Sequence, residues 1–234
     1  MIPTASVRLG FISDIHGNLE ALRAVADLLD GIPTYCCGDL VGYGANPNEV
    51  VEWVRQNCSG CVMGNHDDAV VTGETGWFND AAAAAIRWTR RRLSEANLHY
   101  LASLPTSLRL RPEGKRFLLI HGSPEDPLHE YVNLTTHRDL FERYLTKQEA
   151  DVLALGHTHH PFAVKTSRGT VFNPGSVGQP RHGAPGAFFA IVDLEGGAVN
   201  VQLLGATYDI SAAASKIYAA GLPRSLGERL YEGL

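Results

Sequence analysis

Asp14 and His16 stand in FISDIHGN (residues 11–18), where an apolar run stops, and four further polar clusters follow apolar runs in the same way. YCC leads to Gly38-Asp39, VM to Gly64-Asn65-His66-Asp67, LLI to His121-Gly122, and LAL to Gly156-His157-Thr158-His159. Carboxylate, carboxamide and imidazole are the oxygen and nitrogen donors that divalent transition metals take. In D-x-H and H-x-H the alternation predicts two side chains on the same side of an extended backbone, both gripping one ion. Glycines 17, 38, 64, 122 and 156 are expected to let the chain turn sharply beside them. Asp14, His16, Asp39, Asn65, His121, His157 and His159 are too many ligands for one tetrahedral zinc. They suit two octahedral or five-coordinate ions that share a carboxylate, with Mn, Fe, Zn, Ni or Co favoured over calcium and magnesium less suited.

The elements that must bring these clusters together are legible as short β-rich runs: VRLGFI (7–12), PTYCC (33–37), GCVM (60–63), RFLLI (116–120) and DVLAL (151–155). Strand ends in an open α/β sheet converge on one edge, so clusters spread from residue 14 to 159 can meet there. Helical patterns separate the early strands, with Leu19, Leu22, Ala26 and Leu29 on one face and Asn46-Pro47 opening the next helix as a cap. Residues 79–104 and 135–145 also read as helix. The early β-α-β-α-β order predicts a largely parallel sheet with crossover helices. From 161 to 204, FAVKT, TVFN, AFFAIVDL and AVNVQLL predict a second sheet of antiparallel strands. The tail, 209–234, places Leu226, Leu230 and Leu234 four apart and reads as a docked terminal helix. The expectation is one α/β domain over 1–234: two packed sheets with helices outside.

Composition narrows the function classes. A net charge of -5 over 234 residues argues against an extended nucleic-acid-binding surface. Arg90-Arg91-Arg92 spread over nearly a whole helical turn and read as a solvated face. No segment approaches the ~20 apolar residues of a spanning helix, and MIPTASVRLG lacks a basic end followed by a long apolar stretch. A cytoplasmic location follows as the default. Cys58-Ser-Gly-Cys61 has no second pair at zinc-finger spacing, and packing is the favoured reading over redox chemistry.

D-x-H, G-D, G-N-H-D, H-G and G-H-T-H, in this order, resemble the calcineurin-like metallophosphoesterase superfamily, over about residues 7 to 193. The small, single-domain bacterial and archaeal phosphodiesterase branch is the nearest in flavour, and NPGSVGQPR (173–181) resembles it too. The resemblance implies a four-layer α/β/β/α sandwich of two mixed sheets. It implies one metal held by Asp14, His16 and His159, another by Asn65, His121 and His157, and Asp39 bridging them, with manganese first among the candidate ions. A metal-bridging hydroxide would attack phosphorus in line, and His66 would protonate the leaving group or steady the transition state.

The sequence departs from its phosphatase relatives at GDLVGYG. Protein Ser/Thr phosphatases carry G-D-x-V-D-R-G there, so Gly42 replaces the aspartate that partners the catalytic histidine and Tyr43 replaces a phosphate-binding arginine. A phosphodiester monoanion needs less positive charge, which favours a diesterase acting on a small phosphodiester or nucleotide-like substrate. Phosphomonoesterase, protein phosphatase and dinucleoside polyphosphate hydrolase remain alternatives, and a non-catalytic scaffold is the rival of a different class. Arg181, in GQPRHG, is expected to supply some of the missing charge, and Tyr43 and Trp77 to wall the substrate pocket. Homo-oligomerisation stays open.

Overall fold

The structure, a computed structural model, describes residues 7–234; the N-terminal reading above falls in part on residues 1–6, outside the described residues. The expected β-α-β-α-β start is present as β1 (Val7–Ile12), α1 (Leu19–Leu28), β2 (Thr34–Cys36), α2 (Pro47–Asn57) and β3 (Cys58–Cys61). Asn18 caps α1 by accepting from the Ala21 N–H, 3.1 Å away, and Leu19, Leu22 and Val25 are buried beneath it. Pro47 opens α2 as expected. Asn46 at its N-cap makes no side-chain cap bond: its Oδ1 accepts from Lys216 Nζ at 3.3 Å, and its amide donates to Glu49. The C-S-G-C stretch is itself β3, a few residues earlier than the predicted strand. Cys58 and Cys61 are free thiols, and burial raises the pKa of both, as plain packing requires.

Three helices follow: α3 (Asn65–Thr72), α4 (Asp80–Arg92) and α5 (Glu95–Ala102). Then come β4 (Ser107–Leu110), β5 (Phe117–Ile120), α6 (Leu134–His137), α7 (Phe141–Lys147), β6 (Val152–Ala154), β7 (Phe162–Lys165), β8 (Thr170–Asn173), β9 (Ala187–Glu195) and β10 (Ala198–Ala206). The tail forms α8 (Ile210–Ala219), α9 (Arg224–Glu228) and a single 3₁₀ turn at Arg229–Tyr231. Leu226 and Leu230 are buried as a docked tail predicts, while Leu234 is half exposed. Among the described residues no helix is long and apolar enough to cross a membrane.

Two mixed five-stranded sheets result, ordered β10-β9-β1-β2-β3 and β4-β5-β6-β8-β7. This corrects the expected allocation of residues 161–204 to one second sheet. β9 pairs antiparallel with β1 (Gly10 opposite Ile191), so the β9–β10 hairpin completes the first sheet, whereas β5 and β6 belong to the second. The period-two alternation of β1 explains how the sheets face each other. Leu9 and Phe11 point between the sheets, where they meet Phe117, Leu119, Val152, Ala154, Phe172 and Val192. Phe11 stacks on Phe117 (centroids 6.0 Å) and meets Phe172 edge-on at 5.1 Å, each such side chain contributing about 1.5–3 kcal/mol by burial. Ile12 faces the other way, into the apolar layer under α1 and α2, while α7 covers the second sheet through Phe141, Tyr144 and Leu145.

Candidate metal centre

Every predicted cluster lies just beyond the end of a strand. Asp14 and His16 follow β1, Asp39 follows β2, Asn65 and His66 follow β3 and open α3, His121 follows β5, and His157 and His159 follow β6. The loops converge. Donor atoms of Asp14, His16, Asp39 and His159 lie within 4.8 Å of one another, as do those of Asp39, His121 and His157, so Asp39 is common to both groups. Asn65 Oδ1 lies 3.1 Å from His121 Nε2, on the side of the second group. All but Asn65 are buried.

One geometric expectation fails. The D-x-H and H-x-H pairs are not extended: Asp14, His16, Asp39, His157 and His159 have φ of 53°, 49°, 57°, 68° and 59°. Five of the seven non-glycine residues with positive φ among the described residues are therefore candidate ligands. Asp and His tolerate this region better than most residues, yet each instance costs of order 1–3 kcal/mol.

The imidazole tautomers follow from their partners. Nδ1 of His16 lies 3.0 Å from the Val41 carbonyl, Nδ1 of His121 lies 2.8 Å from that of Cys37, and Nδ1 of His159 bonds that of Gln179. A carbonyl has no proton to give, so each Nδ1 donates, which leaves Nε2 as a lone pair for a metal. His157 is reversed: its Nε2 faces the His129 carbonyl at 3.1 Å, which frees Nδ1. The Nε2 atoms of His16 and His159 stand 3.1 Å apart, an arrangement of two lone pairs that a cation relieves. Asp14 Oδ1 and Asp39 Oδ2 are buried acceptors without a hydrogen-bond partner. The donor set thus fits two divalent ions.

Charge tells the same story. Burial acts to lower the His121 pKa, but the charge and hydrogen bond of Asp39, with Asp14, raise it to about 10. A proton held that tightly measures how strongly the two carboxylates demand positive charge at this point. Burial takes His157 down to about 3 and His66 down to about 4, so both rings are neutral near pH 7.

Asp67 holds the Asp39 loop in shape. Its carboxylate accepts from the N–H groups of Gly64, Asp39, Leu40 and Val41 at 2.9–3.2 Å. Burial and the neighbouring Asp39 charge raise its pKa, while the Gly64 and Val41 N–H groups hold it back. Gly64 has no alternative there, since a Cβ would collide with the Asp39 carboxylate and backbone nitrogen.

His66 packs edge-on against His16 and Phe78 and tilts against Tyr43, with ring centroids 4.6–4.8 Å away. Its Nδ1 has no hydrogen-bond partner. A Cβ built on Gly42 would collide with that nitrogen at 2.6 Å, so the ring stands where an aspartate side chain at this position would need room. Aromatic packing orients His66 instead. Arg181 reaches this neighbourhood and donates from Nη2 to the Tyr43 hydroxyl at 3.0 Å. Trp77 does not: it is 89% exposed, and Phe78 takes the wall position. Asp67 was signalled by its place in GNHD; Tyr131, stacked on His157 at 3.8 Å, and Arg229, with Cζ 5.8 Å from the Tyr43 centroid, carried no pattern that marked them.

The comparisons with known proteins agree with this geometry. Residues 7–197 match the family described as the calcineurin-like phosphoesterase superfamily domain, and the chain belongs to that superfamily of metal-dependent phosphoesterases. An uncharacterized protein of Methanocaldococcus jannaschii, MJ0912, is 38% identical over 247 aligned residues, covering 96% of this chain and 98% of that one. Among solved structures, a metallophosphoesterase from Sphaerobacter thermophilus is 33% identical with a TM-score of 0.84, covering 98% of this chain and all of that one. The hypothetical protein PH1004 of Pyrococcus horikoshii OT3 shares the fold at 22% identity with a TM-score of 0.87, covering 97% of this chain and 99% of that one.

Proposed function

We propose that the chain hydrolyses phosphodiesters with two divalent metal ions, manganese first among those to test. Asp14, His16 and His159 would hold one ion and Asn65, His121 and His157 the other, with Asp39 between them. The ions would supply Lewis acidity toward the phosphoryl oxygens and a water activated for in-line attack. The chain's own residues do the rest. The Nδ1-to-carbonyl bonds of His16, His121 and His159 aim their rings before any substrate arrives. Asp67 keeps the Asp39 backbone in its turn. His66, neutral near pH 7, donates a hydrogen bond to the leaving oxygen and steadies the charge that develops there.

One observation carries the choice of a diester: Gly42 leaves His66 without a carboxylate, and Tyr43 fills the arginine's position with a ring against His16 and His66. The Tyr43 substitution removes a cation suited to a phosphomonoester dianion, and Gly42 removes the anionic partner of the histidine. We place the protein in the cytoplasm, in keeping with Cys36 and Cys61, which face each other across neighbouring strands as free thiols. The test is hydrolysis of bis-p-nitrophenyl phosphate beside p-nitrophenyl phosphate, with Mn²⁺ and then with chelator. Metal-dependent cleavage of the diester with little of the monoester is expected; preference for the monoester would overturn this reading of Gly42 and Tyr43.

A further inference from the structure

Two arginines from distant parts of the chain approach the Tyr43 ring, each with Cζ 5.8 Å from its centroid. Arg181 comes from the loop between β8 and β9, and Arg229 from the 3₁₀ turn that follows α9. That ring lies 4.6 Å from the rings of both His16 and His66, so the two cations sit one aromatic ring away from the metal centre. Among the described residues neither arginine is in an ion pair with a carboxylate. Arg181 uses Nη2 on two neutral partners, the Tyr43 hydroxyl at 3.0 Å and Gln179 Oε1 at 3.3 Å. Its Nε is buried without a partner, and so is Nε2 of Gln179, a residue only 1% exposed.

The two guanidinium groups feel each other's charge. Burial first, and then the Arg181 charge, lower the pKa of the half-buried Arg229. Buried donors without acceptors and paired like charges both oppose folding, and a bound anion reverses both effects. The guanidinium fork suits phosphate oxygens in particular. The tail also steadies the loop that bears Arg181, since the Gly183 N–H donates to the Gly233 carbonyl at 3.0 Å.

We infer that Arg181, Arg229 and Gln179 form a second anion subsite beside the metal centre, which takes a phosphate group other than the one being cleaved. The substrate class is then a phosphodiester that carries a further phosphate. This inference rests on the phosphodiesterase reading above and sharpens it. It also gives Tyr43 a role: the ring that replaces the phosphatase arginine separates the cleaved group from the recognised one.

Calorimetric titration of the full chain with Mn²⁺ present tests it, with thymidine 5′-phosphate and thymidine 3′,5′-bisphosphate as probes. The second phosphate is expected to tighten binding by at least about tenfold. Arg229→Met should bring the two affinities together, and Arg229→Lys should restore part of the difference. Should Arg229→Met not fold, Arg181→Met reads the same ratio. Equal affinities in the unaltered protein, or a ratio that Arg229→Met leaves intact, would overturn the subsite. Cleavage of bis-p-nitrophenyl phosphate by the same preparation separates the two readings. Cleavage with equal nucleotide affinities removes the subsite alone, whereas an Arg229-dependent preference without cleavage keeps the subsite and removes the diesterase.

Discussion

The two rims of the sheets meet the same backbone problem with different residues. At the turn joining β9 to β10, on the rim away from the metal centre, the left-handed conformation falls to Gly196 and Gly197, with φ of 56° and 79°. At the centre Gly17, Gly38 and Gly42 share the positive-φ region with Asp14, His16, Asp39, His157 and His159. Glycine is the cheap solution wherever only the path of the chain matters. A carboxylate or imidazole in that conformation earns its place through its donor atom. The rims also differ in how they treat carboxylates. Asp151, on the far rim at the start of β6, is partly exposed and bidentate to Arg116 at 2.8–3.1 Å, whereas Asp14 and Asp39 are buried beside histidines.

Glycine substitutions give the sharpest way to break this comparison. Asp14→Gly keeps the backbone conformation and deletes the donor, and it should lower metal affinity by more than about 100-fold, since even supporting contacts to metal ligands are worth 10–100-fold; equilibrium dialysis with Mn²⁺ checks it. Gly64→Ala comes next. Its Cβ would overlap Asp39, and a loss of about 2–4 kcal/mol in urea unfolding is expected. On the far rim the sign reverses. Glu149 has φ of 50° just past α7, is exposed, and coordinates nothing, so Glu149→Gly should stabilise by about 0.5–1 kcal/mol with diester cleavage unchanged. A stability loss there would mean that positive φ carries no cost at this position.

The smallest effect concerns Asp151, whose pKa the Arg116 hydrogen bond lowers to about 2. A carboxyl with a depressed folded-state pKa stabilises above its unfolded value and loses that contribution as pH falls through the folded one. Asp151→Asn should therefore cost below about 1 kcal/mol at pH 7, since the pair is screened by solvent. The difference from the unaltered protein should fade between about pH 4 and pH 2; parallel urea titrations at pH 7, 4 and 2 read it.

The site was legible because metal donors are chemically distinct from the apolar strands they terminate. Asp14, His16, Asp39, Asn65, His121, His157 and His159 all stood where a strand pattern stopped, and they meet in space. Their backbone conformation was not legible, because Asp and His do not announce a positive φ as glycine does. Arg229 was hidden for another reason: its role depends on how the tail folds back toward Tyr43, and nothing local to ERLYEGL records that. The β9–β10 hairpin was visible as two alternating strands, but alternation does not say which free edge a hairpin joins. It joins β1, across more than three-quarters of the chain.

That last pairing has a consequence for how the protein is made. A ribosome releases β1 long before β9, so β1 waits with an open edge while the intervening elements are made. The first sheet cannot close until synthesis has passed residue 195, and a chain stopped between β3 and β9 keeps β2 on one edge of β1 and leaves the other edge open to aggregation.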